Sequence, residues 1–145
     1  MALRTFYIYK VIGLLCSGYL FCQPDFSFKN ILVHDGLSES TVKVIYEDRK
    51  GLIYLGTENG LDIFDGYGFV NYHMKSFDNS SLLGNQVSSI FEDSENKIWV
   101  GTELGVSRFN PSKREFDRPF NSTTAEGHVI ISPEIIVEDA NGSLW

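Results

Sequence analysis

Acidic pairs recur along the chain at Glu47-Asp48, Glu92-Asp93 and Glu138-Asp139. Adjacent carboxylates can act as general acid and base, so these pairs are the first residues to consider for catalysis. Each pair, however, ends an apolar segment and opens a turn-forming one, residues 48–51 in the first case. Aspartate at such a position accepts hydrogen bonds from nearby backbone amides. The pattern therefore favours a turn-forming role for the aspartates over acid–base chemistry.

The other residues that could bind metal or act as nucleophiles give no catalytic pattern. His34, His73 and His128 lie far apart without the paired spacing of metal ligands, which favours solvated loop or strand-end positions. The two cysteines, Cys16 and Cys22, both lie near the N-terminus. We therefore expect no catalytic, cofactor-binding or metal-binding residue and no cofactor, and the sequence identifies no ligand-binding residue.

Residues 1–22 have the features of a signal peptide. Arg4 and Lys10 supply positive charge, and the uncharged, mostly apolar run from Val11 to Phe21 is shorter than the roughly 20 residues that span a bilayer. Cleavage after Cys22 would make Gln23 the first residue and remove both cysteines. A buried strand or an uncleaved anchor is the alternative, and the bulky Phe21 argues against acylation of Cys22. We expect an exported, periplasmic protein.

The charge balance limits the partners. The chain has 12 Lys and Arg against 19 Asp and Glu, a net charge of −7, and loss of Arg4 and Lys10 with the signal peptide would bring it to −9. A chain this acidic, with no basic run longer than a pair such as Lys113-Arg114, is a poor candidate for contact with nucleic acid or anionic membranes.

The acidic pairs recur because the chain contains an internal sequence repeat. The segments 44–64 and 89–109 align with a shift of 45, and a third copy begins at Ile135 and reaches Trp145, the counterpart of Trp99. A period in the mid-forties with strand patterning is typical of propeller blades, and a single blade cannot bury both faces of its sheet.

We predict an all-β fold, an incomplete β-propeller of about two and a half four-stranded blades after the signal peptide. A lone strand over 28–33 would close the ring in a longer chain, followed by blade one over 38–73, blade two over 86–120 and the truncated start of blade three over 130–145. The predicted strands are Val42–Glu47, Leu52–Thr57, Leu61–Phe64 and Phe69–His73 in blade one, and Val87–Glu92, Lys97–Thr102, Val106–Phe109 and Glu115–Phe120 in blade two. Because a propeller needs at least about four blades, residues 23–145 are not expected to unfold as a two-state monomer.

Large and small residues that recur at the same position of the repeat are expected to pack the blades together. Tyr54, Trp99 and Trp145 share one position of the repeat, where large rings would fill the space between blades. Gly56 and Gly101 lie within strands, which indicates close approach of a neighbouring blade. Unrepeated loop residues such as Tyr67 and His73 remain free for recognition.

The repeat motifs resemble a known family. Gly36-Leu37-Ser38, the segment 54–61, Phe64-Asp65-Gly66 and the segment 98–102 are similar to the two-component regulator propeller repeats of periplasmic sensor regions in Bacteroidetes hybrid histidine kinases. The resemblance implies a full-length protein with two propellers, a membrane span, a kinase core and often a receiver and DNA-binding domain. Any kinase activity would belong to those absent domains.

Three functions are compatible with this sequence. The resemblance implies the N-terminal part of a periplasmic ligand sensor that is not itself an enzyme, has an oligosaccharide as its ligand, and is a homodimer in the full-length protein. An exported scaffold or adhesion propeller is the alternative, and a polysaccharide-acting propeller enzyme is less favoured because its carboxylates would have to cluster on one face of the ring.

Overall fold

In a computed structural model of the chain, residues 27–119 and 133–145 are described. The predicted signal peptide, both cysteines and His128 lie outside these ranges. The chain divides into two units, Met1–Asn30 and Ile31–Trp145, and every element below belongs to the second. Within the described residues no helix is long and apolar enough to cross a membrane.

The first sheet is a four-stranded antiparallel sheet in simple sequential order. Its strands are β1 (Val42–Glu47), β2 (Ile53–Thr57), β3 (Gly60–Phe64) and β4 (Phe69–Tyr72). The β2–β3 turn is Glu58-Asn59, and Gly60, the first residue of β3, has φ 117°, a left-handed conformation that favours glycine. The predicted hairpins of blade one are confirmed.

The second sheet repeats the first. It contains β5 (Val87–Glu92), β6 (Ile98–Thr102), β7 (Gly105–Asn110) and β8 (Glu115–Asp117), again in sequential antiparallel order. The pairing slips between Val42 and Val44 in the first sheet and between Val87 and Ser89 in the second, so the irregularity is repeated too. The described chain contains no α-helix, and the predicted all-β propeller class is confirmed.

The sheets pack through the first strand of the second sheet, β5, which lies against β1 and β2. A Cβ added to Gly56 would lie 2.6 Å from Val87 Cγ1, and one added to Gly101 would lie 2.7 Å from Pro133 Cγ. Both glycines therefore permit close approach of the following repeat, as predicted. Large side chains complete this core, which includes Tyr54, Leu61, Leu82, Ile98, Val100, Phe109 and Phe116.

The predicted strand over 28–33 is not a strand in the structure. These residues are exposed, and Val33–Asp35 forms a single 3-10 turn. An apolar segment becomes a strand only when its backbone pairs, and no described strand lies beside it. A ring-closing role for this segment stays a prediction.

Both outer strands are shorter than predicted. Strand β4 ends at Tyr72, before His73, and the Gly60 amide at this end of the sheet donates instead to the carbonyl of Asn85, at 2.7 Å. Strand β8 ends at Asp117, and Arg118 directs its guanidinium to the Ser81 carbonyl. At the end of β4 the segment that joins the sheets therefore accepts the backbone hydrogen bond that a longer strand would have made.

The third repeat is present in part. Glu138 and Leu144 form an isolated bridge, and Val137 and Trp145 exchange two backbone hydrogen bonds of 2.8 and 3.0 Å. Ile136 and Leu144 pack onto Trp99 and Val106 of the second sheet. Residues 130–132, the first residues of the predicted third blade, lie outside the described residues.

Candidate functional site

The three repeated aspartates organise identical turns. Oδ1 of Asp48 accepts hydrogen bonds from the amides of Lys50 and Leu52, both at 2.9 Å, and Asp93 does the same with Glu95 and Lys97. Asp139 repeats the arrangement in the third copy. The fourth residue of each turn is left-handed, as Gly51, Asn96 and Gly142. The predicted turn-forming role of the aspartates is confirmed.

The second carboxylate oxygen of each aspartate contacts the repeated aromatic residue. Tyr54 donates its hydroxyl to Asp48 at 3.1 Å, and the indoles of Trp99 and Trp145 donate to Asp93 and Asp139. Burial opposes ionisation of Asp93, but hydrogen bonds from Trp99, Lys97 and Glu95 outweigh it and lower its pKa. Burial beside Asp48 raises the pKa of Tyr54 far above its usual value, so its hydroxyl remains a donor.

The glutamates of the pairs contact the preceding repeat, a role that sequence reasoning missed. Glu92 Oε2 accepts from the amide of Arg49, at 3.0 Å, and Glu138 accepts from the amide and hydroxyl of Ser94, each at 2.7 Å. We call each of these contacts an inter-sheet glutamate bond. A signal existed, because the glutamates share the 45- and 46-residue spacing, but their partners lie 43 and 44 residues away. The three aspartates and the glutamates Glu92 and Glu138 are therefore structural, with their oxygens held by fixed donors.

A buried carboxylate inside β3 was also missed. Asp62 is fully buried, with Oδ2 accepting from the amide and hydroxyl of Ser38, both at 2.8 Å, and Oδ1 accepting from the side-chain amide of Asn71 at 2.7 Å. Ser107 holds the equivalent place in β7 and accepts from the amide of Leu83. The signal was a charged residue in the middle of an apolar strand, and its function is to anchor the segment that enters each sheet.

An open groove of about 360 Å³ lies between the outer strands of the two sheets. The end of β4 and the segment after it form one side, and the β7–β8 turn forms the other. Leu82 and Phe116 are buried at its base, and the amide of Phe116 donates to the carbonyl of Ser80 at 2.8 Å. Its polar lining includes Asn71, His73, Lys75, Ser80, Lys113 and Arg114. This volume lies within the range of small-ligand sites.

The lining of the groove is of mixed charge, with the basic residues Lys75, Lys113 and Arg114 beside the acidic residues Asp78 and Glu115. Lys113 and Arg114, an adjacent basic pair like Arg49-Lys50, lie in the β7–β8 turn, where Arg114 is left-handed at φ 56°. Neither forms an ion pair within the described part of the chain. Burial raises the pKa of Tyr72, and the charge of Arg114 acts against that shift. Hydrogen bonds from Ser80 lower the pKa of Asp78, which keeps it an anion.

The two unrepeated residues expected to be free for recognition, His73 and Tyr67, lie at different places in the structure. His73 lines the groove and lies over the β2–β3 turn, where a Cβ added to Gly60 would be 2.8 Å from its Nδ1. Tyr67 is 98% exposed at the tip of the β3–β4 turn and does not reach the groove. His34 lies elsewhere, beside Asp35. Among residues 27–119 and 133–145 no group of three or more potential ligands could hold a metal ion.

Comparison with known proteins agrees with this geometry. The family described as two-component regulator propeller matches residues 36–59 and 81–104, one match for each sheet. These two segments are similar to two-component regulator propeller repeats. Each matched segment begins where the chain enters a sheet, at Gly36 and Ser81, and ends in the β2–β3 or β6–β7 turn.

Proteins with similar repeats are much longer than this chain. A histidine kinase of Formosa agariphila is 39% identical over 60 residues, which is 41% of this chain and 4% of that relative. The extracellular domain of one hybrid two-component system from B. thetaiotaomicron is 24% identical, with a TM-score of 0.68 over 81% of this chain and 17% of that one. A second such domain is 26% identical, with a TM-score of 0.58 over 72% of this chain and 14% of that one. The propeller repeats here thus span a small fraction of each.

Proposed function

We propose that this chain is part of an exported propeller that senses a ligand for a hybrid two-component signalling protein. The propeller repeats, and the likeness to extracellular domains of such systems, support this assignment. Residues 1–22 would direct export to the periplasm and be removed. Any histidine kinase activity would belong to other domains of the full-length protein. An exported scaffold or adhesion protein is the alternative.

The groove between β4 and β8 is the observation that carries the proposal. The repeated aspartates and threonines of the sheets hold local structural hydrogen bonds, whereas the groove is lined by side chains that the repeat does not fix. The side-chain carbonyl of Asn71 and the hydroxyl oxygen of Ser80 offer acceptors for sugar hydroxyls, since their donors are held by Gly36, Asp62 and Asp78. His73 offers a ring nitrogen, and Lys113 and Arg114 offer charge-assisted donors. We propose an oligosaccharide as the ligand.

Ligand contacts on two sheets provide a route to signalling. His73 extends from the end of the first sheet, and Lys113 belongs to a turn of the second. A ligand that bridges them would favour one relative placement of the sheets over another. The size of this shift equals the difference in the ligand's affinity for the two placements. In a homodimer of full-length chains this shift would change how the two chains are placed.

Calorimetric titration of the full-length gene product tests the proposal. The probes are neutral and carboxylated oligosaccharides of defined length, with Lys113→Ala as the test variant. Lys50→Ala, an exposed lysine of the β1–β2 turn that does not line the groove, is the matched control. We expect one class of saccharide to bind, Lys113→Ala to weaken it by about tenfold, and Lys50→Ala to leave it unchanged.

Other outcomes favour other functions. Absence of binding by every saccharide would support the scaffold. If chromatography shows that a saccharide is shortened during incubation, the result would support a polysaccharide-acting enzyme. Equal loss of affinity in both lysine variants would contradict the assignment of the groove.

A further inference from the structure

In the described part of the chain, three residues other than glycine have a left-handed backbone, namely Phe77, Asn96 and Arg114. Asn96 belongs to an aspartate turn, and asparagine tolerates this conformation. Phe77 at φ 65° and Arg114 at φ 56° have larger side chains, for which it is unfavourable. Arg114 lines one side of the groove, and Phe77 lies between Lys75 and Asp78, which line the other side. Unfavourable backbone therefore borders the groove on both sides.

The turn that carries Phe77 is held in place by a residue outside it. The amide of Asp78 donates to the carbonyl of Lys75 at 3.2 Å, which makes Phe77 the third residue of a four-residue turn. When φ is positive at this position, glycine or asparagine is favoured. Ser81 is buried, and its hydroxyl accepts the amide of Lys75 at 2.9 Å and donates to the carbonyl of Asp78 at 2.8 Å. Backbone strain persists only where its surroundings enforce it, and it concentrates at ligand sites.

The ring of Phe77 is as exposed to solvent as that of an isolated residue, at 108%. It packs on no described residue, although contact of its apolar surface with water is unfavourable. Tyr67 is comparably exposed, at 98%, but its backbone is not left-handed and it does not reach the groove. Among the described residues, an exposed aromatic ring, an enforced left-handed backbone and a place beside the groove occur together only at Phe77.

We infer that Phe77 is a ligand-binding residue whose ring stacks on a pyranose unit of a saccharide in the groove. The inference rests on the proposed sensing function and names the class of ligand. A pyranose with equatorial hydroxyls presents C–H groups on its faces and hydroxyls around its edge. One face lies on the electron-rich face of the Phe77 ring, and the edge hydroxyls reach Ser80 and Arg114. The ligand is therefore an oligosaccharide of such units, of which β-linked glucose is the simplest example.

The carboxylate of Asp78, the residue after Phe77, favours a sugar over an apolar protein surface. Hydrogen bonds from Ser80 to its Oδ1 lower its pKa, so Asp78 is an anion at neutral pH. An apolar surface laid on Phe77 would also cover this charge, and covering a charge without a new partner is unfavourable. A sugar meets both requirements, because its C–H face contacts the ring while a hydroxyl donates to Oδ2 of Asp78.

Calorimetric titration of the full-length gene product with two neutral tetrasaccharides tests the inference. One probe contains β-1,4-linked glucose, and the other contains β-2,1-linked fructose, whose five-membered rings lack axial C–H groups. We expect the glucose compound to bind and the fructose compound to bind about tenfold more weakly. Phe77→Ala should weaken binding of the glucose compound by about tenfold, and Phe77→Tyr, which keeps the ring, should stay within about twofold. Tyr67→Ala, which removes an exposed ring away from the groove, is the control and should leave the affinity unchanged.

Phe77→Gly separates loss of the ring from damage to the fold. Glycine adopts φ 65° without strain, so this variant should bind as weakly as Phe77→Ala and melt no lower than the wild-type protein. A lower melting temperature of Phe77→Gly would show that the ring packs on another part of the protein, and it would overturn the inference.

Failure of this inference can be told from failure of the sensing function. The role of Phe77 is overturned if the glucose compound does not bind, if both compounds bind equally, or if Phe77→Ala and Tyr67→Ala have equal affinities. Each of these results leaves the sensing function in place. The sensing function falls as well only if none of the neutral and carboxylated oligosaccharides binds the wild-type protein.

Discussion

The indole Nε1 of Trp99 donates a 2.7 Å hydrogen bond to Oδ2 of Asp93. Through its other oxygen the same carboxylate holds the amides of Glu95 and Lys97. One aspartate therefore joins a surface turn to the aromatic core of the sheet. The pairs Tyr54–Asp48 and Trp145–Asp139 repeat this relationship, each at 3.1 Å.

Asp93→Ala should lower the free energy of unfolding of the full-length protein by about 2–4 kcal/mol, because it leaves a buried indole and two turn amides without their acceptor. Urea unfolding measures the change. Asp117→Ala removes only a partly exposed pair with Arg108 and should cost about 0–1 kcal/mol. Equal effects of the two variants would contradict the role of Asp93.

Stability should fall in acid partly through Asp93. Its pKa is lowered in the folded protein, so its contribution is complete above the unfolded value of about 3.9 and is lost as the pH falls through the lower, folded value. Unfolding by urea between pH 7 and pH 2 should show this loss below about pH 4. In Asp93→Asn the loss should be smaller, and an unchanged pH profile would exclude this residue as a cause.

Trp99→Ala should destabilise the full-length protein by about 3–5 kcal/mol as a large truncation in a packed core. The control variant, Tyr67→Ala, removes a ring that is 98% exposed, against 6% for Trp99. In the same full-length protein this change should cost about 0–0.5 kcal/mol, as thermal unfolding of both variants would show. Normal folding of Trp99→Ala with loss of ligand binding alone would make the aromatic residues a binding surface instead.

Gly56→Ala should cost about 1–3 kcal/mol by overpacking, since its Cβ would lie 2.5 Å from Val44 Cγ1 and 2.6 Å from Val87 Cγ1. Gly68→Ala is the control, because no atom lies within 4 Å of its added Cβ. That change should be neutral or slightly stabilising by restricting the unfolded chain. The midpoints of urea unfolding compare the two, and a tolerated Gly56→Ala would contradict close packing of the sheets.

The sequence predicted the sheets well because two copies of the repeat confirm each other. Val42–Glu47 and Val87–Glu92 were placed at their observed bounds, and the aspartate turns were recognised from local chemistry. The local sequence pattern gave a wrong prediction where strand formation depends on pairing with another strand. The segment 28–33 has the composition of a strand, but a strand also needs a partner.

The candidate site was largely beyond prediction. His73 was identified as free for recognition, but the groove arises because residues near 75 and residues near 114 meet across two sheets. None of these residues is repeated, so the period gave no information on their neighbours. The glutamate contacts were missed for a related reason, since each partner belongs to the preceding repeat and nothing local marks the pair.

The inter-sheet glutamate bonds bear on how such a gene can grow. The second repeat supplies one donor, Ser94 of its turn, and one acceptor, Glu92 of its first strand, and they serve opposite neighbours. Duplication of a whole unit of 45 or 46 residues adds both in the correct order, so the new interfaces are satisfied at once. A duplication that breaks off within a unit, between the acceptor and the turn, would leave one of them without a partner. Recombination in whole units therefore preserves the framework, while the loops between units are free to diverge.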